Sequence, residues 1–185
     1  MKSNKIVLGF TGLMVSGKGT AAKYLEEKHG ASTFRYSTIL RDILDRIYVE
    51  QSRDNLVKIS EGVRGIFGEN TLAKAIAVDA QAASTDLVVV EGIRRLADIE
   101  YLKKLPNFIL VEIFADPKVR HARLILRGEN TDDTTKTYEQ FLSDHQRSTE
   151  ITIPDVVKLA TERVDNNGTL EELHAALDAL VGRYR

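Results

Sequence analysis

Short runs with β-branched residues alternate along the chain with longer amphipathic stretches. Five of these runs predict β-strands, in segments 5–11, 32–36, 86–91, 108–114 and 163–166. The cores of two of them, 87–90 and 109–111, are apolar at every position. Continuous apolar runs are typical of parallel strands that helices cover on both faces. We therefore predict an α/β fold with three layers, in which helices flank a five-stranded parallel sheet.

Helix signals occupy the segments between the predicted strands. Ser52 can cap a helix that Gly68 ends, and the apolar face of this helix is Leu56, Ile59, Val63 and Ile66. Thr169 and Glu172 form the pattern of a capping box, which predicts a last helix over 170–181.

A further helix is predicted to begin at Asp116-Pro117, because proline favours the first turn. We predict that Val119, Ala122 and Leu126 form its core-facing stripe. Its arginines line a separate face at spacings of three and four residues: Arg120, Arg123 and Arg127.

Composition narrows the possible functions. Lysine and arginine together number 26 against 27 aspartate and glutamate residues, and the formal net charge of −1 disfavours a basic nucleic-acid-binding module. Cysteine is absent, which excludes disulfides and thiolate catalysis, and the four histidines form no ligand-like pair for zinc. The longest apolar runs are strand-sized, and the start of the chain does not resemble a signal peptide. We therefore expect one domain over 1–185, a cytoplasmic location, and neither nucleic acid nor membrane as a partner.

The clearest motif is Gly12-Leu13-Met14-Val15-Ser16-Gly17-Lys18-Gly19-Thr20, between the first strand and a helix that begins near Lys18. Glycines let successive backbone N–H groups point inward, and a helix N-terminus adds partial positive charge. The lysine ammonium reaches the β- and γ-phosphates of a nucleotide. The predicted ATP-binding residues are Gly12, Val15, Ser16, Gly17, Lys18, Gly19 and Thr20. The alternative is a glycine-rich turn with a solvated lysine.

Gly19 follows the lysine where the general motif has serine or threonine, and Thr20 comes one position later. Thr20 could thus reach an α-phosphate or a metal-bound water. The Gly-Lys-Gly-Thr ending resembles adenylate kinases and other nucleoside-monophosphate kinases. The chain resembles this P-loop kinase group, which also contains deoxynucleoside-monophosphate kinases and dephospho-CoA kinase. The resemblance implies a P-loop NTPase fold with a short lid, Mg²⁺, and ATP as co-substrate.

An acceptor-binding helical insert is expected over about 37–83. The segment 36–41 resembles the stretch, containing Ser-Thr and Leu-Arg, with which the acceptor-binding helix of adenylate kinases begins. This resemblance implies that Arg41 binds the acceptor phosphate. The alternative is an ion pair of Arg41 with Asp45. Arg53 and Arg64 share one helix face, and their segment is similar to one in deoxynucleoside-monophosphate kinases. Arg64 is included among the acceptor-binding residues, although a solvated arginine face is the alternative.

The third strand ends in Glu91-Gly92-Ile93-Arg94-Arg95. A carboxylate at the carboxyl end of a strand beside the P-loop can hold a water of Mg²⁺ or accept a hydrogen bond from the acceptor. The segment resembles the Asp-Gly-x-x-Arg of adenylate kinases and the Asp-Gly-x-Arg of smaller relatives. We expect Glu91 and Arg94 to bind the acceptor, with Arg95 as the alternative to Arg94. We expect Thr20 and Glu91 to bind the metal ion, either directly or through water.

A lid is expected over about 120–150. The residues of segment 127–137 include no apolar side chain, so this segment is predicted to contribute nothing to a core. By resemblance to kinase lids, Arg123 and Arg127 join Lys18 as the catalytic residues. The alternative is an exposed helix whose arginines form ion pairs with Glu129, Asp132 and Asp133, and a metal site at Asp132-Asp133 is a weaker alternative. Asn167 is placed where these kinases contact adenine, although Asn-Gly is also ordinary turn chemistry.

The sequence thus predicts an ATP-dependent transferase that phosphorylates a nucleoside or deoxynucleoside monophosphate, acting as a monomer or homodimer. Dephospho-CoA kinase is the first alternative, and a nucleotide-binding ATPase or scaffold is the second. The guanine-recognition motif of GTPases is absent, and an AAA-type motor would need a longer chain.

Overall fold

The computed structural model describes residues 5–127, 133–146 and 150–185, without the side chains of Arg53 and Asp133. The strands are β1 Ile6–Thr11, β2 Ser32–Arg35, β3 Leu87–Ile93, β4 Phe108–Phe114 and β5 Glu162–Asp165. The helices are α1 Lys18–His29, α2 Tyr36–Arg46, α3 Arg53–Phe67, α4 Thr71–Ala82, α5 Pro117–Arg127, α6 Tyr138–Ser143, α7 Ile153–Val157 and α8 Leu170–Tyr184. Short 3₁₀ turns lie at Leu96–Ile99, Leu102–Lys104, Asp133–Thr135 and Asp144–Gln146.

All five strands join one sheet in the order β2-β3-β1-β4-β5, and every pairing is parallel. The predicted strands are confirmed to within two residues at each end. Because β1 lies at the centre, its carboxyl end opens onto the segment 12–17 between two neighbouring strands. The carboxyl ends of β2, β3 and β4 meet at the same edge, where ligands bind in open parallel sheets.

The two faces of the sheet carry separate apolar layers. On one face, Leu8 and Phe10 of β1 pack with Leu25 of α1 and Leu177 of α8. On the other face, Val88 and Val90 of β3 belong to a second apolar cluster with residues of α2, α4 and α7, including Leu40, Ile76 and Val156. The three-layer α/β fold is therefore confirmed.

The predicted helix ends are confirmed at two helices. The hydroxyl of Ser52 accepts a hydrogen bond from the backbone N–H of Asn55, and α3 ends directly before Gly68. Thr169 and Glu172 form the predicted capping box of α8. The apolar face predicted for α3 is wrong at its end, however, because Ile66 is 76% exposed. Among the described residues, no helix has the length and apolar character needed to cross a membrane.

Helix α5 begins at Pro117 as predicted, but its predicted core-facing stripe is wrong. Leu126 is 87% exposed and Ala122 is also exposed, whereas Arg120 and Leu124 are buried. The guanidinium of Arg120 donates to the carbonyl oxygens of Ala115 and Met14, at 2.9 and 3.1 Å. Buried carbonyl groups need donors, and this face of α5 supplies one to the loop after β1.

Candidate nucleotide-binding site

The loop between β1 and α1 adopts a conformation that requires glycine at two positions. Gly12 has φ of +141° and Gly17 has φ of +99°, values that side-chain-bearing residues rarely adopt. A Cβ at Gly12 would lie 2.3 Å from the carbonyl oxygen of Ile113, and one at Gly17 would lie 2.1 Å from Nδ2 of Asn166. A residue with a side chain at either position would therefore be strained in its backbone and would clash with a neighbouring segment.

Lys18 directs its ammonium back over this loop. Its Nζ donates to the carbonyl oxygens of Gly12 and Leu13, at 2.6 and 3.0 Å. Burial lowers the pKa of Lys18 to about 8, and the positive charge of Arg94 lowers this pKa as well. The carboxylates of Glu150 and Glu91 act in the opposite direction. The loop therefore holds a partly desolvated cation that an anionic ligand would stabilise.

Two polar atoms beside the loop are buried without a hydrogen bond. Within the described part of the chain, Oγ of Ser16 and Nη1 of Arg123 have no partner. Nη2 of Arg123 donates to Oδ1 of Asn166 at 3.5 Å. Buried polar groups are nearly always satisfied, so two orphaned donors at a glycine-rich loop fit the oxygens of a nucleotide's phosphates.

Met14 in the loop is held on both sides of its backbone. Its N–H donates to Oε2 of Glu150 at 3.0 Å, and its carbonyl accepts from Arg120. Arg120 also stacks over the ring of Phe141 and lies 2.8 Å from Nε2 of His145. Burial lowers the pKa of His145, as does the adjacent Arg120 cation, so the ring accepts from the guanidinium as a neutral group. The sequence analysis did not predict that Arg120 is buried against the loop, and it did not identify Glu150.

The structure distinguishes the two arginines after β3. Nη1 of Arg94 lies 3.0 Å from Oε1 of Glu150, which places Arg94 against the loop. Nη1 of Arg95 lies 3.1 Å from Oε2 of Glu69, next to the start of α4. Arg94 thus lies at the loop and Arg95 lies at α4, and the acceptor role of Arg94 stays a prediction.

Glu91 at the end of β3 lies beside the start of α1. Its Oε1 is 2.7 Å from Nε of Arg35, the last residue of β2. A Cβ at Gly19 would lie 3.3 Å from Nη2 of Arg35 and 3.6 Å from Oε2 of Glu91. Sequence reasoning missed Arg35, although its position at the carboxyl end of a predicted strand was the available signal.

The predicted metal-binding residues provide only part of a coordination shell. Thr20 lies exposed in the first turn of α1, and one oxygen of Glu91 is engaged by Arg35. In the parts of the chain that the structure describes, no cluster of three histidine or acidic side chains could hold a metal. These residues fit a magnesium ion that a nucleotide's phosphates and waters largely coordinate, because Mg²⁺ often keeps waters and few protein ligands.

Arg64 is not brought to the loop as a ligand. Its guanidinium is buried and lies 2.7 Å from Oδ1 of Asp98, and it also donates to the carbonyl oxygen of Glu69. The other oxygen of Asp98 accepts the N–H groups of Arg94 and Arg95, each at 3.0 Å. We correct our expectation for Arg64 accordingly, since its charge is used to hold the segment that carries Arg94.

Arg41 and Asn167 have other partners. Nη1 of Arg41 donates to Oε1 of Gln51 at 2.7 Å, and Gln51 in turn donates to Asp45, so an amide bridges the ion pair considered from the sequence. Oδ1 of Asn167 accepts the N–H of Asp116 at 2.7 Å. Asn167 therefore serves the turn before α5, and its neighbour Asn166 is the residue that contacts the loop.

The expected lid is described only in part. Arg127 is the exposed last residue of α5; Glu129 and Asp132 lie outside the described residues, as does the side chain of Asp133. Lys136 is buried and forms an ion pair of 2.8 Å with Asp144. No described residue of segment 127–137 belongs to either apolar cluster, as predicted, although the charged side chain of Lys136 is buried.

Comparison with models of protein families assigns the chain to a family. A family model described as an AAA domain matches residues 11–141, which is more than half of the sequence. The chain belongs to this AAA-domain family. The matched range begins at the last residue of β1 and includes the glycine-rich loop, Arg94 and α5.

Relatives and solved structures match the AAA-domain chain over nearly its whole length. A UPF0200 protein of Sulfurisphaera tokodaii is 29% identical over 178 residues, covering 96% of each chain. The crystal structure of TT1252 from Thermus thermophilus has a TM-score of 0.61 at 21% identity, covering 97% of each chain. Shikimate kinase from Bacteroides thetaiotaomicron has a TM-score of 0.58 at 17% identity, covering 96% of this chain and 97% of the kinase. The chain thus has a P-loop kinase-like fold, whatever the family's name suggests about AAA motors.

Proposed function

We propose that this protein is a Mg²⁺- and ATP-dependent kinase that transfers the γ-phosphoryl group of ATP to a nucleoside or deoxynucleoside monophosphate. One observation carries the proposal: the ammonium of Lys18 lies over the glycine-rich loop, and the guanidinium of Arg94 is fixed against the same loop through Glu150. Lys18, the proposed cation for the donor phosphates, and Arg94, the proposed cation for an acceptor phosphate, therefore lie at the same loop.

The donor side follows from the loop. Gly12 and Gly17 shape the backbone, and α1 directs its N-terminal partial charge at the phosphates. Lys18 would exchange the carbonyl oxygens of Gly12 and Leu13 for phosphate oxygens, and the orphaned hydroxyl of Ser16 would gain an acceptor. When bound, Mg²⁺ neutralises charge on the β- and γ-phosphates; Thr20 and Glu91 are the residues that would hold its waters.

The acceptor side favours an anion over a neutral hydroxyl. The carboxylate of Glu91 is engaged by Arg35, and that of Glu150 is engaged by Arg94 and by a backbone N–H. A sugar hydroxyl needs a general base, whereas a phosphate oxygen is already ionised and needs cations that hold it. A lone acidic residue after β2 would favour dephospho-CoA kinase, and the residues at that place, Tyr36, Ser37 and Thr38, include none. These charges support a phosphate-bearing acceptor.

Arg123 and Arg127 complete the proposed machinery. Arg123 reaches the loop through Asn166, and one of its buried nitrogen atoms lacks a partner among the described residues. Arg127 lies one helical turn further along α5. An arginine that contacts the transferring phosphoryl group can accelerate transfer by roughly 10³- to 10⁵-fold. We assign this stabilising role to the pair.

An ADP-release assay tests the proposal. Purified protein is supplied with Mg²⁺ and ATP, and in turn with each ribo- and deoxynucleoside monophosphate, dephospho-CoA and shikimate. The proposal predicts release that depends on one or more monophosphates and stops in Lys18→Ala. The matched control Lys23→Ala, on the same helix and 73% exposed in its side chain, retains activity. Release only with dephospho-CoA or shikimate, or equal release without an acceptor, would refute it.

A further inference from the structure

Met14 is fixed by two buried side chains of opposite charge. Glu150 is 2% exposed and accepts the N–H of Met14, and Arg120, also 2% exposed, donates to the carbonyl of the same residue. The two side chains lie 30 positions apart in the sequence, on either side of the segment with α6. The position of the loop is therefore determined jointly with that of Glu150.

The same carboxylate fixes Arg94. One oxygen of Glu150 binds Met14 and the other binds Nη1 of Arg94. The backbone of Arg94 is held as well: its N–H donates to Asp98, and its carbonyl accepts from the hydroxyl of Thr152 at 2.8 Å. Even so, 42% of the Arg94 side chain is exposed. Arg94 is thus held through its backbone and through Glu150, while part of its side chain contacts solvent.

We infer that Glu150 is a positioning residue that couples nucleotide binding at the loop to phosphate binding at Arg94. This inference rests on the proposed function. A triphosphate that stabilises the bound conformation of the loop also fixes the position of the Glu150 carboxylate. That carboxylate in turn fixes the position of the Arg94 guanidinium, which binds the acceptor phosphate. Coupling of this kind is reciprocal, so a bound monophosphate tightens the donor by the same factor.

The substitution Glu150→Gln removes the coupling while preserving size. A glutamine offers one acceptor oxygen, and its NH₂ group faces a donor whichever way the amide is turned. It can therefore satisfy Met14 or Arg94 but not both. The matched control is Glu69→Gln, which alters the equivalent pair with Arg95 at an exposed position.

Titration calorimetry measures the coupling directly. Mg²⁺ with the non-hydrolysable analogue AMPPNP is titrated into each protein, alone and in the presence of AMP, CMP, GMP, UMP or dTMP in turn. For the wild type and Glu69→Gln, we expect at least one monophosphate to lower the Kd of AMPPNP by about 5-fold or more, within the usual range of coupling between sites. For Glu150→Gln, we expect this factor to fall to about one, whatever the affinity of the variant for AMPPNP alone.

Several results would overturn the inference. A coupling factor in Glu150→Gln equal to that of the wild type would overturn it while leaving the kinase proposal intact, since ADP release judges the latter separately. Absence of coupling in the wild type would overturn it as well. If Glu150→Gln does not fold by circular dichroism, Glu150→Asp takes its place, because the shorter carboxylate cannot span both partners; retained coupling in that variant is equally contrary.

Discussion

Asn166 donates a hydrogen bond from its side-chain Nδ2 to the carbonyl oxygen of Ser16, over 2.8 Å and inside the protein. The backbone N–H of Asn166 binds the carbonyl of Phe114, so the residue is fixed by β4 before it reaches the loop. The left-handed Gly17 leaves space for this amide, because a Cβ there would overlap Nδ2. The turn after β5 thus supports the loop after β1.

We predict that Asn166→Ala lowers the free energy of unfolding by about 1 to 3 kcal/mol, since it leaves the carbonyl of Ser16 buried without a donor. Urea unfolding at pH 7 measures the change. The control Asn70→Ala removes an exposed amide–carboxylate contact with Glu100 and is expected to change stability by less than about 0.5 kcal/mol. Equal effects of the two substitutions would show that the contact does not stabilise the loop.

The pKa of Lys18 predicts how nucleotide affinity depends on pH. Without a ligand this pKa is about 8, and adjacent phosphates would raise it, so binding of MgATP takes up a proton once the pH exceeds about 8. Affinity is expected to be constant near pH 7 and to fall by up to about tenfold per pH unit above 8. Calorimetry in two buffers of different ionisation enthalpy measures both effects. No proton uptake at pH 9 would place the Lys18 ammonium away from the phosphates.

Arg127→Ala is predicted to lower kcat by at least about 10²-fold without changing the Tm. The reason is that an exposed helix-end arginine adds little to stability but can stabilise charge in the transition state. Steady-state kinetics and thermal unfolding are measured together. Arg183→Ala, which alters an exposed arginine on α8, is the control with wild-type kcat. Wild-type kinetics for Arg127→Ala would remove this residue from the catalytic set.

Arg64→Ala separates a positioning role from a ligand role. Loss of the buried guanidinium leaves Asp98 as an unpaired buried charge, so the free energy of unfolding should fall by about 3 to 5 kcal/mol. Arg95→Ala, which breaks an exposed pair, should cost less than about 1 kcal/mol. Stability near that of the wild type, together with a raised KM for the acceptor, would instead make Arg64 a ligand.

Asp178 predicts a stability change at low pH. Hydrogen bonds from His29, at 2.7 Å, and from Tyr24 join α1 to α8 and hold the pKa of Asp178 below its usual value. A lowered pKa stabilises the fold above the unfolded pKa of about 4, and this stabilisation disappears as the pH falls through the folded value.

Asp178→Asn should therefore lower stability by about 0.5 to 1 kcal/mol at pH 7, where the exposed carboxylate is partly screened, and have less effect near pH 3. Urea unfolding at both values, with Asp155→Asn as an exposed control, provides the measurement. An equal effect at the two pH values would contradict the assignment.

Local features were predictable from the sequence. The strands β3 and β4 were found because their cores are continuous apolar runs. The caps at Ser52 and Thr169 were found because the capping residue and its partner are three positions apart. The loop was found for the same reason, since glycine spacing and the following lysine are local requirements.

Contacts between distant segments were not predictable. Met14 and Glu150 are 136 positions apart, and Ser16 and Asn166 are 150 positions apart, so no local pattern relates them. The apolar spacing in α5 was misleading because the helix packs against backbone carbonyl groups, which Arg120 supplies with hydrogen-bond donors and an apolar side chain would not. Arg64 was interpreted as an acceptor ligand because its partner, Asp98, lies 34 positions away in the sequence.

In the proposed kinase, residues 12–20 bind the phosphates of a nucleoside triphosphate through main-chain amides and Lys18. Titration of ATP with Mg²⁺ into the wild-type protein and into Lys18→Ala measures this binding. We predict saturable one-to-one binding to the wild type and a loss of at least about 10²-fold in affinity for the variant. No detectable heat of binding in the wild type, or equal affinity in the two proteins, would contradict the claim.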